Sequence, residues 1–499
     1  MKINITSLCA IIFFIMTFTN LNYSQTYVDV APGVGTLNDA VTNNTDPNVI
    51  FRLQRGPGAI YLLNGSVQAY IPIHIEAAAG TGDIPKLIPV VGTSGSSDIA
   101  FRLRSDLFLK NLYVTGMDAV GALKAQILRI QADSLKLYAD SCYFENSAQS
   151  WIRTDNQMAK IRVTNSIIRN CLGYYANGRG VDDRGNNMDT LYLENNTFYN
   201  ISSRLLRDGG GWMNYFYCNH NTFFNIGKSL FSIGECPSAV FTNNMAINCG
   251  FLGQNQSATG GLISIIALSS PEFNGRVQSL EAHNNNFANS STFQSHRPDT
   301  VISVPDFDAQ AHLTISTSGF DTTNISEFLT FENQTPPVDT IITGYWNTGL
   351  GQDAYPAATL MVTGDYNYSY PKTTVSYKGA VGGWEIGALT WFNFVTGVND
   401  KNGNNKPSNY SLNQNYPNPF NPETVIEYTL PKQSNVKLII YNSLGQEVKT
   451  LVNNVQFAGV NTMKWNGTNQ SGQKVTSGIY FYKLTTEGFT AIKKMIMLK

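Results

Sequence analysis

The side chains best suited to chemistry fall in four short segments: Trp151-Ile152-Arg153-Thr154-Asp155, Val181-Asp182-Asp183-Arg184, Leu205-Leu206-Arg207-Asp208 and Phe231-Ser232-Ile233-Gly234-Glu235. Charged residues are only 14% of the chain, so segments this rich in Arg and Asp stand out. Arg179 and Arg204 join them from adjoining stretches, and Tyr174, Tyr175 and Trp212 flank them. Such a set suits an acidic sugar polymer. A guanidinium grips a uronate carboxylate bidentately and makes the neighbouring C–H acidic. A base then removes that proton, and an acid protonates the leaving oxygen. The candidates for these steps are Arg179, Asp183, Arg184, Arg204, Arg207 and Asp208. Arg153, Tyr174, Tyr175 and Trp212 are the candidate substrate contacts. Asp182, Asp183 and Glu235 offer the oxygen ligands that calcium prefers. Arginine as the base is chemically demanding, although desolvation and neighbouring arginines lower its pKa. Hydrolysis by a carboxylate pair, Asp182 or Asp183 with Asp208, is a competing chemistry. So is a catalytically silent surface that binds glycan, or a purely structural ladder of Arg–Asp pairs.

These segments act together only if the fold stacks them, and the chain repeats itself in a way that does so. Leu193-Glu194-Asn195-Asn196-Thr197-Phe198 matches Cys218-Asn219-His220-Asn221-Thr222-Phe223, then Phe241-Thr242-Asn243-Asn244-Met245-Ala246 and Ala282-His283-Asn284-Asn285-Asn286-Phe287. Weaker copies surround Asp140 and Asn165. Asn196, Asn221 and Asn244 are 25 and 23 residues apart; the longer step to Asn285 implies an inserted loop around Gly250 to Gly275. A period of this size with short alternating strands is one coil of a β-solenoid, which buries its inward face only by stacking on its neighbours. Leu191, Leu193, Phe198 and Ile201 are expected to point inward. Each repeated Asn is expected at a sharp left-handed bend, with its side chain bonded to the next coil. Outward residues one coil apart are then about 4.8 Å from each other, which turns the four charged segments into a column on the strand that follows the Asn turn and its strand.

The repeated Asn-(Thr or Asn)-Phe segments resemble the right-handed parallel β-helix of the pectin-lyase-like superfamily, over about residues 30 to 320. The superfamily includes lyases, hydrolases and non-catalytic adhesins. Gly178 to Gly211 resembles the uncharacterised secreted branch related to chondroitinase-B-type lyases. The chain departs from that pattern in having no Lys on the four strands and no Asn-Glu-Glu calcium set, so no catalytic residue transfers one by one. Residues 25–320 are read as the β-helix with its N-terminal cap, including Ile60-Tyr61-Leu62-Leu63 and Ile71-Pro72-Ile73-His74-Ile75. Residues 321–395 are read as the C-terminal cap, packed by Trp346, Tyr366, Tyr368, Trp384, Trp391 and Phe392.

A linker, 396–411, rich in Gly, Asn, Lys, Pro and Ser, leads to a module at 412–499. Pro417, Pro419 and Pro422 fix an extended approach. Alternating strands follow at Val425 to Leu430, Val436 to Tyr441 and Gly478 to Leu484, which suggests a seven-strand sandwich. Asn415-Tyr416-Pro417-Asn418-Pro419-Phe420-Asn421-Pro422, Tyr441-Asn442-Ser443-Leu444-Gly445, Trp465-Asn466-Gly467, Ser477-Gly478-Ile479-Tyr480 and the terminal Lys493 to Lys499 resemble a type IX secretion C-terminal sorting domain. That resemblance implies an immunoglobulin-like sandwich, the type IX secretion machinery as a partner, and a product released or attached at the outer surface.

The remaining signals agree with export. Residues 1–24 read as a signal peptide, with Lys2, an apolar run from Leu8 to Phe18 and a cut after Ser24. No later stretch has the length of a membrane span. Of six cysteines, Cys9 leaves with the signal. The other five lack CxxC spacing, so buried apolar thiols with at most one disulfide are expected, and no zinc site. A net charge of −1 provides no basic excess for nucleic acid. The fold class expected is all-β: a monomeric parallel β-helix followed by a small immunoglobulin-like β-sandwich.

Overall fold

The computed structural model describes residues 26–80, 82–90, 99–173, 177–207, 210–251, 263–266, 268–276 and 278–296, together with 324, 326, 329, 370–380, 385–392 and most of 410–497. The signal segment, most of the linker, and Trp346, Tyr366, Tyr368 and Trp384 lie outside the described residues.

Three parallel sheets wind around one core. Sheets A and B have ten strands each and sheet C has eight. The chain visits them in the order A, B, C, and each strand pairs with its counterpart one rung away. In the seventh rung sheet A holds Met188–Glu194, sheet B Thr197–Ile201 and sheet C Leu206–Arg207. In the first turn a short helix, α1 (Thr36–Thr42), takes the place of a sheet C strand and buries Leu37 and Val41. Apolar residues repeat at alternate positions, so each rung contributes side chains to continuous stacks. Phe198 lies over Phe223, Phe223 over Phe241 and Phe241 over Phe287, nearly parallel and 5.4 to 6.2 Å apart. Leu191, Leu193, Phe198 and Ile201 all point inward, fully buried. All five cysteines are buried free thiols; burial pushes Cys142, Cys171 and Cys236 up to about 12, which leaves them protonated and inert.

The turn between sheets A and B carries the asparagine file. The backbone N–H of Ser166 donates to Asn196 Oδ1 at 2.9 Å, that of Asn196 to Asn221 at 3.0 Å, and that of Asn221 to Asn244 at 2.9 Å. The file continues from Asn244 to Asn285 and from Asn285 to Asn324. Each amide also donates to a strand carbonyl, as Asn221 Nδ2 does to Leu193 O at 3.0 Å. The expected placing of these asparagines in the left-handed bend needs correction. The residue just before each one makes the bend: Asn195, His220, Asn243 and Asn284 have φ of 58°, 52°, 58° and 55°. The first residue turns the chain and the second fills the buried space it opens. Asn324 extends the pattern a rung past the expected solenoid end.

The described C-terminal part of the segment expected as an end cap, 376–380 and 385–389, bonds along the side of the solenoid. Leu389 N donates to Asn195 Oδ1, Ala388 N to Thr222 Oγ1 and Gly387 N to Asn243 O. Asn284 Nδ2 donates to Gly379 O, and Asn286 Nδ2 to Ser376 Oγ. Residues 376–380 and 385–389 thus lie as a strap along the A–B edge, bonded to one rung after another.

The C-terminal module is antiparallel. One sheet holds Ser411–Leu412, Thr424–Leu430 and Gly459–Trp465. The other holds Ser434–Asn442, Glu447–Gln456, Gly478–Thr485 and Thr490–Met497. Its own core includes Ile426, Tyr428, Leu438, Trp465, Tyr482 and Met495. Ser411 belongs to a strand, one residue earlier than the expected boundary. Among the described residues, no helix is long and apolar enough to cross a membrane.

Candidate functional site

The four charged segments become neighbours in sheet C. Their strands, Ser150–Thr154, Arg179–Asp182, Leu206–Arg207 and Phe231–Glu235, are adjacent. Alternation sends Ile152, Val181, Leu206 and Phe231 into the core. Between them the register sets Arg153 beside Asp182, Asp182 beside Arg207, and Arg207 beside Ser232. The same column runs back through Arg129 and Arg102 to Gln68. Three successive rungs therefore each present an arginine before the first Asp. Asp155 answers two of them: Arg129 Nε lies 2.5 Å from its Oδ2 and Arg153 Nε 2.7 Å from its Oδ1. Burial raises the Asp155 carboxyl, but the hydrogen bonds from Arg129 and Arg153 outweigh it and hold it below the usual carboxylate range.

A second group of cations occupies the corner where sheet B passes into sheet C. Arg179, 5% exposed, sits 2.7 Å from Asp182 in a buried ion pair. On the next rung Arg204 donates through Nε to Ser229 Oγ at 3.0 Å, and its carbonyl accepts from Gly180 N. On the rung after that Lys228, 8% exposed, donates its backbone N–H to Ser203 O. Burial, then Arg204 and Arg179, bring the Lys228 amine down to about 8.

The opposite corner, from sheet C to sheet A, holds the other candidates. Asp183 is buried and receives the Gly185 N–H on Oδ1 at 2.9 Å. It closes a turn in which Arg184 and Gly185 are left-handed, so it faces the turn rather than the outer column; Arg184 is exposed. Trp212 is half-buried, edge-on to Phe273 with centroids 5.2 Å apart. Glu235 accepts from Ser269 Oγ at 2.6 Å and from Ser270 N at 2.8 Å. Burial opposes them, but these bonds keep its carboxyl below the usual range. Asp182, Asp183 and Glu235 are thus engaged apart from one another. Among the described residues, no three His, Cys, Asp or Glu side chains gather as metal ligands. Tyr174, Tyr175 and Asp208 lie outside the described residues, and Arg207 is described by its backbone alone.

Sequence reasoning missed Arg102, Arg129 and Lys228. The first two carried a legible signal: Phe101-Arg102-Leu103 and Leu128-Arg129-Ile130 have the same apolar-Arg-apolar form as the strand at Arg153. Lys228 lies just ahead of its strand, so a search confined to strands passes over it.

A family model described as the FlgD Ig-like domain matches residues 421–488. No curated protein matches the chain. Among solved structures, the chain is similar to dimeric latent PorU from Porphyromonas gingivalis, at 21% identity and a TM-score of 0.16, covering 18% of this chain and 10% of that one. It is also similar to PorZ, described as an essential bacterial surface component of the type-IX secretion system of the same organism, at 16% identity and a TM-score of 0.14, covering 20% of this chain and 13% of that one. The chain therefore spans about a tenth of the length of each of these proteins, and what it is shown to be is a parallel β-solenoid with a C-terminal immunoglobulin-like domain.

Proposed function

We propose that the chain is an exported surface protein whose sheet C binds an acidic polysaccharide lengthwise. The observation that carries this reading is the column of Arg102, Arg129, Arg153 and Arg207, with Asp182 between the last two. Arginine forks one rung apart match anionic groups spaced along a sugar chain. The C-terminal motifs support export by type IX secretion, with 412–499 as the sorting domain. In the test, the purified chain is titrated with polygalacturonate and with a neutral glucan. Saturable binding to the acidic polymer alone, weakening as salt is added, is the expected result. The double variant Arg129→Glu, Arg153→Glu should lose at least about tenfold in affinity. Arg52→Glu on sheet A, where Arg52 pairs with exposed Asp29, should bind as the wild type does. Equal affinity in all three proteins sinks the reading.

A second reading is favoured by the B–C corner. There two guanidiniums, Arg179 paired with Asp182 and Arg204 bonded to Ser229, lie a rung apart, a setting that stabilises the carbanion formed in β-elimination. A panel of uronate polymers, with and without added calcium, tests it through the ultraviolet absorbance of newly unsaturated sugar ends. No absorbance on any polymer that binds leaves the binding reading alone.

A further inference from the structure

The N-terminal end of sheet C holds a group of side chains that neither reading uses. The first strand of the sheet, Val67–Ala69, pairs with Phe101–Leu103 and sets Gln68 beside Arg102, where the arginine column begins. Tyr70 and Arg104 follow these strands, and Arg104 N donates to Ala69 O at 2.9 Å, which keeps the two rungs together past the strand ends. Tyr70 is 64% exposed, the most exposed aromatic ring among the described residues; the next is Tyr27 at 46%. A single exposed ring is ordinary in itself, but this one is held at its tip. Its hydroxyl donates to Gln68 Oε1 at 2.8 Å and accepts from Arg104 Nη1 at 2.7 Å. The Arg104 guanidinium also lies over the ring, 5.1 Å from its centroid. A ring tied in this way has given up its rotamer freedom before any ligand arrives.

The charge beside the ring is uncommitted. Arg129 and Arg153 share Asp155, whereas Arg102 and Arg104 form no ion pair among the described residues. Arg102 Nε donates to Ser66 Oγ at 3.3 Å, and Arg104 bonds Tyr70. Each guanidinium carries five N–H donors, so donors remain on both. The burial of Phe101 and Leu103 between them puts Arg102 and Arg104 on the same outer side, about 6–7 Å apart along the strand. We propose that Tyr70, Arg102 and Arg104 form a terminal subsite for one uronate residue of the bound glycan. The apolar C–H face of its pyranose ring packs on Tyr70, and its carboxylate accepts from the guanidiniums. The proposal rests on the sheet C reading and adds to it the place where the polymer ends or turns off the sheet. A polymer with carboxylates and no sugar ring satisfies only the arginines.

The experiment therefore compares polygalacturonate with polyglutamate, which has the carboxylates alone. Tyr70→Ala should weaken polygalacturonate about threefold to tenfold and leave polyglutamate unchanged, with circular dichroism checking the fold. Arg104→Gln should weaken both polymers. Tyr70→Trp keeps a ring at the position and should hold its affinity; its fluorescence, read as the difference from wild type, should shift to the blue when polygalacturonate is added. That variant keeps the test alive should Tyr70→Ala unfold. Unchanged polygalacturonate affinity in Tyr70→Ala, an equal loss toward both polymers in that variant, no loss in Arg104→Gln, or Tyr70→Trp emission unmoved at saturation overturns the subsite and leaves the sheet C reading standing. Failure of wild type to bind polygalacturonate overturns both.

Discussion

Single residues of two kinds hold each coil in register, and each makes a measurable demand. Asn221 accepts from Asn196 and donates to Leu193 O and Asn244 Oδ1, all buried. Asn221→Ala orphans the Asn196 N–H and the Leu193 carbonyl at once. Each orphan costs about 1–3 kcal/mol, so a substantial loss of stability in urea unfolding is expected, far above that of Asn156→Ala, a half-buried residue whose hydrogen bond to Asp133 is exposed. His220 makes the left-handed bend and places Nδ1 3.3 Å from Gly387 O. Burial, opposed by the Gly387 and Glu385 backbone contacts, lowers its pKa to about 4. Its folded pKa lies below its unfolded value near 6.5, so the neutral ring is the native form. Its contribution is whole above about 6.5 and is lost as pH falls toward 4. His220→Asn matches Asn195, Asn243 and Asn284 at the same bend; it should fold and show a shallower acid loss in melting temperature. An acid profile unchanged from wild type would remove His220 as the cause. The asparagine file was legible at this scale because its spacing repeats. Its off-by-one role was not, because adjacent Asn-Asn letters do not say which one turns and which is buried.

At the scale of elements, sheet C and the strap behave differently. Sheet C was largely legible: alternation alone places Arg153 and Asp182 on one column, as the register shows. The place of Asp183 in the turn was not legible, because alternation stops where the turn begins. The strap was not legible, since it bonds to the solenoid through main-chain groups and Asn or Thr side chains scattered over several coils. Its tightest point is Gly387, φ 98°, where a Cβ would meet Thr222 Oγ1 at 2.8 Å and Met245 at 3.2 Å. Gly387→Val should lift the strap there. Hydrogen exchange should rise across 385–390 while sheet A amides stay protected; uniform protection in the variant would show that the strap yields without leaving.

Among the described residues there are two separate apolar cores, one running along the solenoid and one inside the terminal module. Cores that share no residues unfold as separate units. Calorimetry should show two transitions, and removal of 412–499 should delete one and leave the other in place. A single transition that shifts on truncation contradicts this. Within the solenoid each rung touches only its neighbours; the strap is the exception, bonding several rungs in turn. The last described strap residues reach back to Asn195 on the seventh of ten rungs, and the described chain resumes at Tyr410 beside the terminal module's first strand. A pull applied through that module therefore meets the described strap at Leu389 before the final rung. Tension has to peel Leu389, Ala388 and Gly387 from successive coils before it can reach the final coil, so a protein held by its tail under flow yields first along a sacrificial seam while sheet C keeps its shape.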